Sequence, residues 1–365
     1  MYEQIREDKF FIIFYTLVTG MAMMASCYLL LRRGNAFAAD ITPPVRLRRW
    51  VAAFLASIAL SHAWYMPVFF LTSNDDITMC DLVGGLFDTM TFFPLAIVVL
   101  LTMLQDRRRP LWPVAAMMAP IVAGGVFGVA ARSYAFLPIA YVYFLLMCIG
   151  IIIYMAREVR SYGRWLRDNY ADLEHKEIWQ SFVVLALILL GFGIYTSEIG
   201  GLANKYIVQV NNIILICYLL WRVETLSDLS TPIQTDIAED EDNTLSLSMR
   251  HNIEPLLKQY CEESHLYLQH DINISRLARE IGINRLYLSQ YFSSQGMNYN
   301  AYINDLRINH FISLYHETVA AHRPVIAQQL AFESGYQSYN TFRDAFKRKT
   351  GMSVTAWMAR QIIEA

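Results

Sequence analysis

Seven stretches of about 20 mainly apolar residues follow one another before residue 223, and nothing else in the chain restricts its fold as much. A helix rising 1.5 Å per residue needs about that length to cross a hydrocarbon core of about 30 Å. The stretches predict spans over roughly 10–31, 50–72, 82–104, 111–131, 134–156, 178–200 and 205–222. With 55% apolar and only 17% charged residues over 365 positions, the chain is too apolar for an ordinary soluble protein. Its opening residues, MYEQIREDKFF, carry mixed charge and run into the first stretch without a small-residue cleavage site, as a first span does and a removed signal peptide does not. Only Arg132 and Ser133 part the fourth stretch from the fifth, so a tight hairpin is required there.

Loop charge sets the expected orientation, because cytoplasmic loops carry the Lys and Arg excess. Arg32, Arg33, Arg46, Arg48 and Arg49 follow the first span. Arg107, Arg108 and Arg109 follow the third, and Arg157, Arg160, Arg164, Arg167 and Lys176 follow the fifth. With Arg222 after the seventh, fourteen basic residues fall on one side. The other side holds four: Arg6, Lys9, Arg132 and Lys205. This asymmetry predicts an external N-terminus and a cytoplasmic C-terminal part.

Polar groups inside spans are costly and call for a role. His62, Asp88, Glu198 and Asn211 are the candidates for a signal pocket open to the outside, with Gln209, Asn212, Tyr65 and Tyr195 nearby. The alternative is hydrogen bonding between packed helices. Neither a metal-ligand spacing nor a catalytic constellation is present, so no enzyme, metal or cofactor is expected; the five cysteines are dispersed and predict no disulfide.

After residue 222 the character of the chain changes. Residues 223–247 form an acidic, flexible linker, with Glu224, Asp228, Asp236, Glu239, Asp240, Glu241 and Asp242 and no Lys or Arg between Glu224 and Asp242. Residues 248–365 read as a soluble helical domain. Ile253, Leu256, Leu257 and Tyr260 mark a first apolar stripe. Ser275 is the expected cap of a helix that buries Leu277, Ala278 and Ile281 and ends at Gly282, and Asn284 is the cap of the next, with Leu288, Tyr291 and Phe292. This is a helix-turn-helix pattern. It recurs as Leu330 and Ala331, Gly335, Ser338 as cap, then Phe342 and Phe346 four residues apart on one face. A helix over about 299–315 connects the two readers.

These residues resemble the AraC/XylS family of bacterial transcription regulators. The resemblance covers about 253–358: LAREIGINRLYLSQYF and GMNYNAYINDLRI for the first reader, LAFESGYQSYNTFRDAFKRKTGMSVTAW for the second. With the apolar stretches it gives an all-α architecture, a seven-transmembrane-helix bundle over 1–222 followed by a double helix-turn-helix domain that the resemblance implies. It also implies groove-facing residues: Arg285, Leu286, Ser289 and Gln290 in the first reader; Tyr339, Asn340, Thr341 and Arg343 in the second. Asn and Gln suit adenine, Arg suits guanine, and an apolar side chain suits a thymine methyl. Lys347, Arg348 and Lys349 are the expected phosphate contacts. The chain departs from the family pattern at Phe311, where a small residue is usual, at Asp344, where a base is frequent, at Val354, where proline is usual, and at Met358, where a basic residue is usual.

The resulting expectation is a membrane-embedded, one-component regulator that senses an extracytoplasmic or membrane signal. Its partners would be double-stranded promoter DNA, the lipid bilayer, a second copy of the chain, a small-molecule or protein signal, and RNA polymerase. Two alternatives stand beside it: a regulator whose membrane part is only an anchor or docking site, and a transporter or enzyme with a regulatory helical module.

Overall fold

The computed structural model describes residues 7–32, 43–173, 176, 179–197, 201–229 and 253–364. Among them there is no strand; one isolated antiparallel bridge pairs Tyr170 with Asn273. The chain divides into two compact units. One comprises Met1–Arg160 and Ile178–Thr231, the other Ser161–Glu177 and Pro232–Ala365.

The first unit is built from α1 (Lys9–Leu31), α2 (Val45–Tyr65, continued by a 3-10 turn Met66–Phe69), α3 (Asn74–Met90), α4 (Phe92–Met103), α5 (Trp112–Ala131), most of α6 (Leu137–Asn169), α7 (Ser181–Ser197) and α8 (Leu202–Thr225). Among the described residues, six helical stretches are long and apolar enough to cross a membrane: α1, α2 with its 3-10 turn, α3 with α4, α5, α6 and α8. The shorter α7, apolar over Ser181–Gly191, falls in the sixth of the seven expected stretches. Large apolar side chains stay exposed on these helices, among them Phe10, Leu31, Ile139 and Leu146. Exposed apolar side chains in such number fit a lipid-facing surface better than a water-soluble one.

Local chemistry explains the irregularities. The third expected span is broken at Thr91, because Pro94 offers no N–H to the carbonyl of Met90 and its ring crowds that turn. The hairpin between α5 and α6 closes through Arg132 in the left-handed region, with the Ser133 N–H donating to the Gly128 carbonyl at 3.1 Å. A Cβ at Gly128 would overlap the Phe136 ring, so the tight hairpin depends on that missing atom. At the other end of the unit Arg48 reaches back to the carbonyls of Leu29 and Arg32, and the fully buried Glu224 lies 4.0 Å from its guanidinium. Glu224 therefore sits inside α8, and the acids from Asp236 to Asp242 lie outside the described residues.

After its Ser161–Glu177 segment, the second unit continues with α9 (253–257), which widens into a π-helical stretch over Lys258–Glu263. There the inward position falls on Cys261, fully buried, while Tyr260, expected in the stripe, turns outward. Then come α10 (Ile274–Ile281), α11 (Arg285–Ser294), α12 (Tyr299–Ala320), α13 (Ala327–Glu333), α14 (Tyr339–Thr350) and α15 (Val354–Glu364). Two hydrophobic clusters result. One gathers Ile253, Leu257, Leu277, Ile281, Leu288, Phe292 and Ile303; the other gathers Ile308, Phe311, Leu330, Tyr336, Phe342 and Phe346. The connector α12 contributes to both, and its 22 residues carry it to Ala320, past the end expected at about 315, and make it about 33 Å long.

Candidate nucleic-acid interface

Helix capping fixes the first reader. The Asn273 side chain, not Ser275, accepts the Arg276 N–H at 3.0 Å and starts α10, because α10 opens earlier than its apolar pattern suggests. Ser275 is buried within the helix. Gly282 ends α10 with a φ of 78°, and Asn284 caps α11 as expected, accepting the Leu286 N–H at 2.8 Å. Leu288 and Phe292 then pack inward, and Leu286 stays exposed, with Ser289 and Gln290 on the flank of the helix. Arg285 opens α11, but it is half-buried and its Nη2 donates to Asn169 Oδ1 at 2.5 Å. Burial pushes its guanidinium pKa down, and the nearby Tyr170 opposes that shift.

The second reader repeats the plan. Phe342 and Phe346 are fully buried, and Phe311 stacks against them with ring centroids 4.5 and 5.7 Å away. The aromatic ring at Phe311 thus fills the core of the second cluster, where the family pattern has a small residue. Tyr339 packs against Phe342, while Asn340 and Arg343 are exposed and Thr341 is half-buried. Asp344 is exposed beside Arg343, 3.5 Å from its Nε, so the acid pairs with a base on its own helix. Of the three basic residues that follow, Lys347 and Arg348 are exposed, whereas Lys349 bonds Asp305 and Asn309 at 3.1 Å each. Val354 is buried at the start of α15, where Ser353 Oγ accepts the Ala356 N–H at 3.2 Å, a cap in place of a proline's fixed backbone.

The sequence pattern did not single out a buried polar stripe on the connector. Asn300, Asn304 and Arg307 are all buried on one face of α12. Their spacing of four and three residues is the available signal, a polar stripe at helical period inside an apolar helix. Arg307 donates from Nε to the Tyr267 carbonyl and from Nη2 to the Gln269 carbonyl, both at 2.7 Å. The turn at Gly335 closes the same joint, with His270 Nδ1 3.0 Å from its carbonyl oxygen.

Residues 277–360 match the family of helix-turn-helix domains. This segment is an AraC-type helix-turn-helix domain. Searches of curated proteins and of solved structures found no match to the chain. An AraC-type domain implies DNA binding, and with it a DNA-binding regulator.

The candidate signal residues lie in the first unit. His62 is buried, with Nδ1 2.8 Å from the Ile58 carbonyl and Nε2 2.8 Å from Gln209 Oε1. Asn211 donates to the Leu187 carbonyl at 3.1 Å. Both side chains therefore have hydrogen-bond partners in the packed bundle. Asp88 is half-buried and accepts from Ser61 Oγ at 3.2 Å, with Trp64 and Tyr65 beside it. Glu198 lies outside the described residues. An apolar cavity in the same unit is lined by Phe93, Ile97, Phe144, Met147, Leu185 and Ile188, and by none of these polar residues.

Proposed function

We propose that this chain is a membrane-embedded one-component transcription regulator that binds promoter DNA sequence-specifically through both helix-turn-helix readers. The observation that carries this reading is one continuous sequence with six span-length apolar helices and an AraC-type domain. The N-terminus lies outside a bacterial inner membrane and the AraC-type domain in the cytoplasm, as the loop charges require. Arg285, Leu286, Ser289 and Gln290 face one major groove, Tyr339, Asn340, Thr341 and Arg343 the next, and Lys347 and Arg348 hold phosphates. A genome-wide footprint of the tagged full-length protein tests this: discrete, salt-sensitive sites are expected, and uniform or absent occupancy overturns it.

Signal sensing is assigned to the helical bundle around Asp88, a carboxylate that three polar side chains surround within the apolar unit. The anchor reading draws support from His62 and Asn211, whose hydrogen bonds are those of packing. Promoter output of Asp88→Asn decides between them. Loss of response with retained occupancy supports sensing, and an unchanged response leaves the bundle as an anchor.

A further inference from the structure

The segment Asn169–Asp172 follows the fifth apolar stretch, far in sequence from the AraC-type domain, yet it belongs to the same compact unit as that domain. It is bound there by an array of specific contacts. Tyr170 forms the antiparallel bridge with Asn273, the cap of α10. Asn300 Nδ2 donates to the carbonyls of Tyr170 and Ala171, at 3.2 and 2.6 Å. Asn304 Nδ2 approaches the Ala171 carbonyl at 3.5 Å. Ala171 is 1% exposed and lies in the first reader's own core, with Leu277, Leu288 and Ile303. Asp172 is buried as well.

The position of this segment matters more than its tightness. Recognition helices contact base edges with residues at their N-terminal end. Arg285 is the first residue of α11, and its guanidinium is committed to Asn169 Oδ1 at 2.5 Å. A half-buried guanidinium held at Asn169 must reorient before two N–H groups of its fork can face a guanine edge, so the docked segment opposes that contact.

We propose that residues 169–172 are an autoinhibitory plug: docked, they withhold Arg285 at the start of the first recognition helix, and DNA engagement by the first reader requires their release. The receptor is built from Asn273, Asn300 and Asn304 together with the apolar seat of Ala171. The plug is continuous with α6, so a rearrangement of the apolar helices that pulls on α6 shifts the balance between docked and released forms. An input acts on that balance only through its differential affinity for the two forms. The inference rests on the DNA-binding reading above.

Its test uses the full chain in lipid nanodiscs and a random-sequence duplex pool long enough to offer two successive major grooves. Ala171→Arg cannot occupy the buried seat and releases the segment, and Asn169→Ala frees Arg285 with less disturbance of the core. Both are expected to bind DNA about tenfold more tightly than the wild type. A cysteine pair, Ala171→Cys with Asn300→Cys in a Cys261→Ala background, is expected to cross-link on oxidation, to lower binding, and to recover on reduction. Equal or weaker binding by both released variants overturns the plug while leaving the DNA reading intact. Failure of the pair to cross-link overturns the docking itself. No binding by any form, released or not, overturns the DNA reading and the plug with it.

Discussion

The guanidinium of Arg307 lies 5.4 Å from the ring centroid of Tyr336, so a residue of the connector α12 packs against the turn that opens the second reader. Its nitrogens meanwhile hold the carbonyls of Tyr267 and Gln269, on the first reader's side. One fully buried side chain thus ties both helix-turn-helix motifs and the connector, and their relative placement is fixed by a covalent helix plus this clamp.

Arg307→Ala should be among the most damaging changes in the AraC-type domain. It leaves two carbonyls without their donors in a dry site, a cost of about 3 kcal/mol for bonds to a charged group. Arg307→Lys should recover only part of this, since one ammonium cannot reproduce the guanidinium's planar fork. Hydrogen exchange over 253–360 in the full-length protein measures both: faster exchange on each side of α12 is expected, and exchange confined to α12 would show that the clamp does not join the readers.

Gly335 and Gly282 both have positive φ, at 87° and 78°, but their surroundings differ. A Cβ at Gly335 would sit 2.7 Å from the Leu268 carbonyl oxygen, against backbone that cannot swing aside, whereas one at Gly282 meets open space. Gly282→Ala should cost about 1 kcal/mol from conformation alone. Gly335→Ala should cost clearly more and loosen the joint between the readers, a difference that thermal unfolding of the two variants would display.

The all-helical fold and the two readers were legible because their signals are periodic: apolar runs of span length, and caps, glycines and i, i+4 aromatics at set spacings. Asn284, Gly282, Phe342 and Phe346 occupy the places their spacing predicts. The break at Thr91 and the turn to Cys261 were not legible, because each depends on a local departure from α geometry that apolar periodicity averages out. Asn169 and Ala171 gave no signal at all. Their role comes from partners such as Arg285 and Asn300, far along the chain, and a polar residue after a span looks the same whether it is solvated or docked.

His310 adds a pH dependence. Burial, with the neighbouring His265, lowers its pKa from the usual value of 6.5. The unfolded chain then takes up a proton that the folded domain resists, so stability is full above about pH 6.5 and declines as the pH falls toward the folded pKa. Thermal midpoints at about pH 7.5 and pH 5.5 should differ less in His310→Gln than in the wild type. An identical slope would assign the acid sensitivity to other groups.

The salt dependence of DNA binding separates the basic residues of α14. Lys347 and Arg348 are exposed and are the proposed phosphate contacts, whereas Lys349 is already bonded to Asp305 and Asn309. Removing a side chain that neutralises one phosphate should reduce the slope of log affinity against log salt by about 1, uniformly across sequences. Lys347→Ala and Arg348→Ala should do this, and Lys349→Ala should leave the slope nearly unchanged. Asn340→Ala and Arg343→Ala should behave differently again, weakening the best sites by about 1–3 kcal/mol with little change of slope, because base contacts carry discrimination. Arg343 also shields Asp344, 3.5 Å away, so its removal exposes an unneutralised acid on the groove face, and Arg343→Ala with Asp344→Ala should bind better than Arg343→Ala alone. Titrations at several salt concentrations against one selected duplex measure all of these, and a slope that falls equally for all three basic residues would show that the Lys349 pairing opens on DNA.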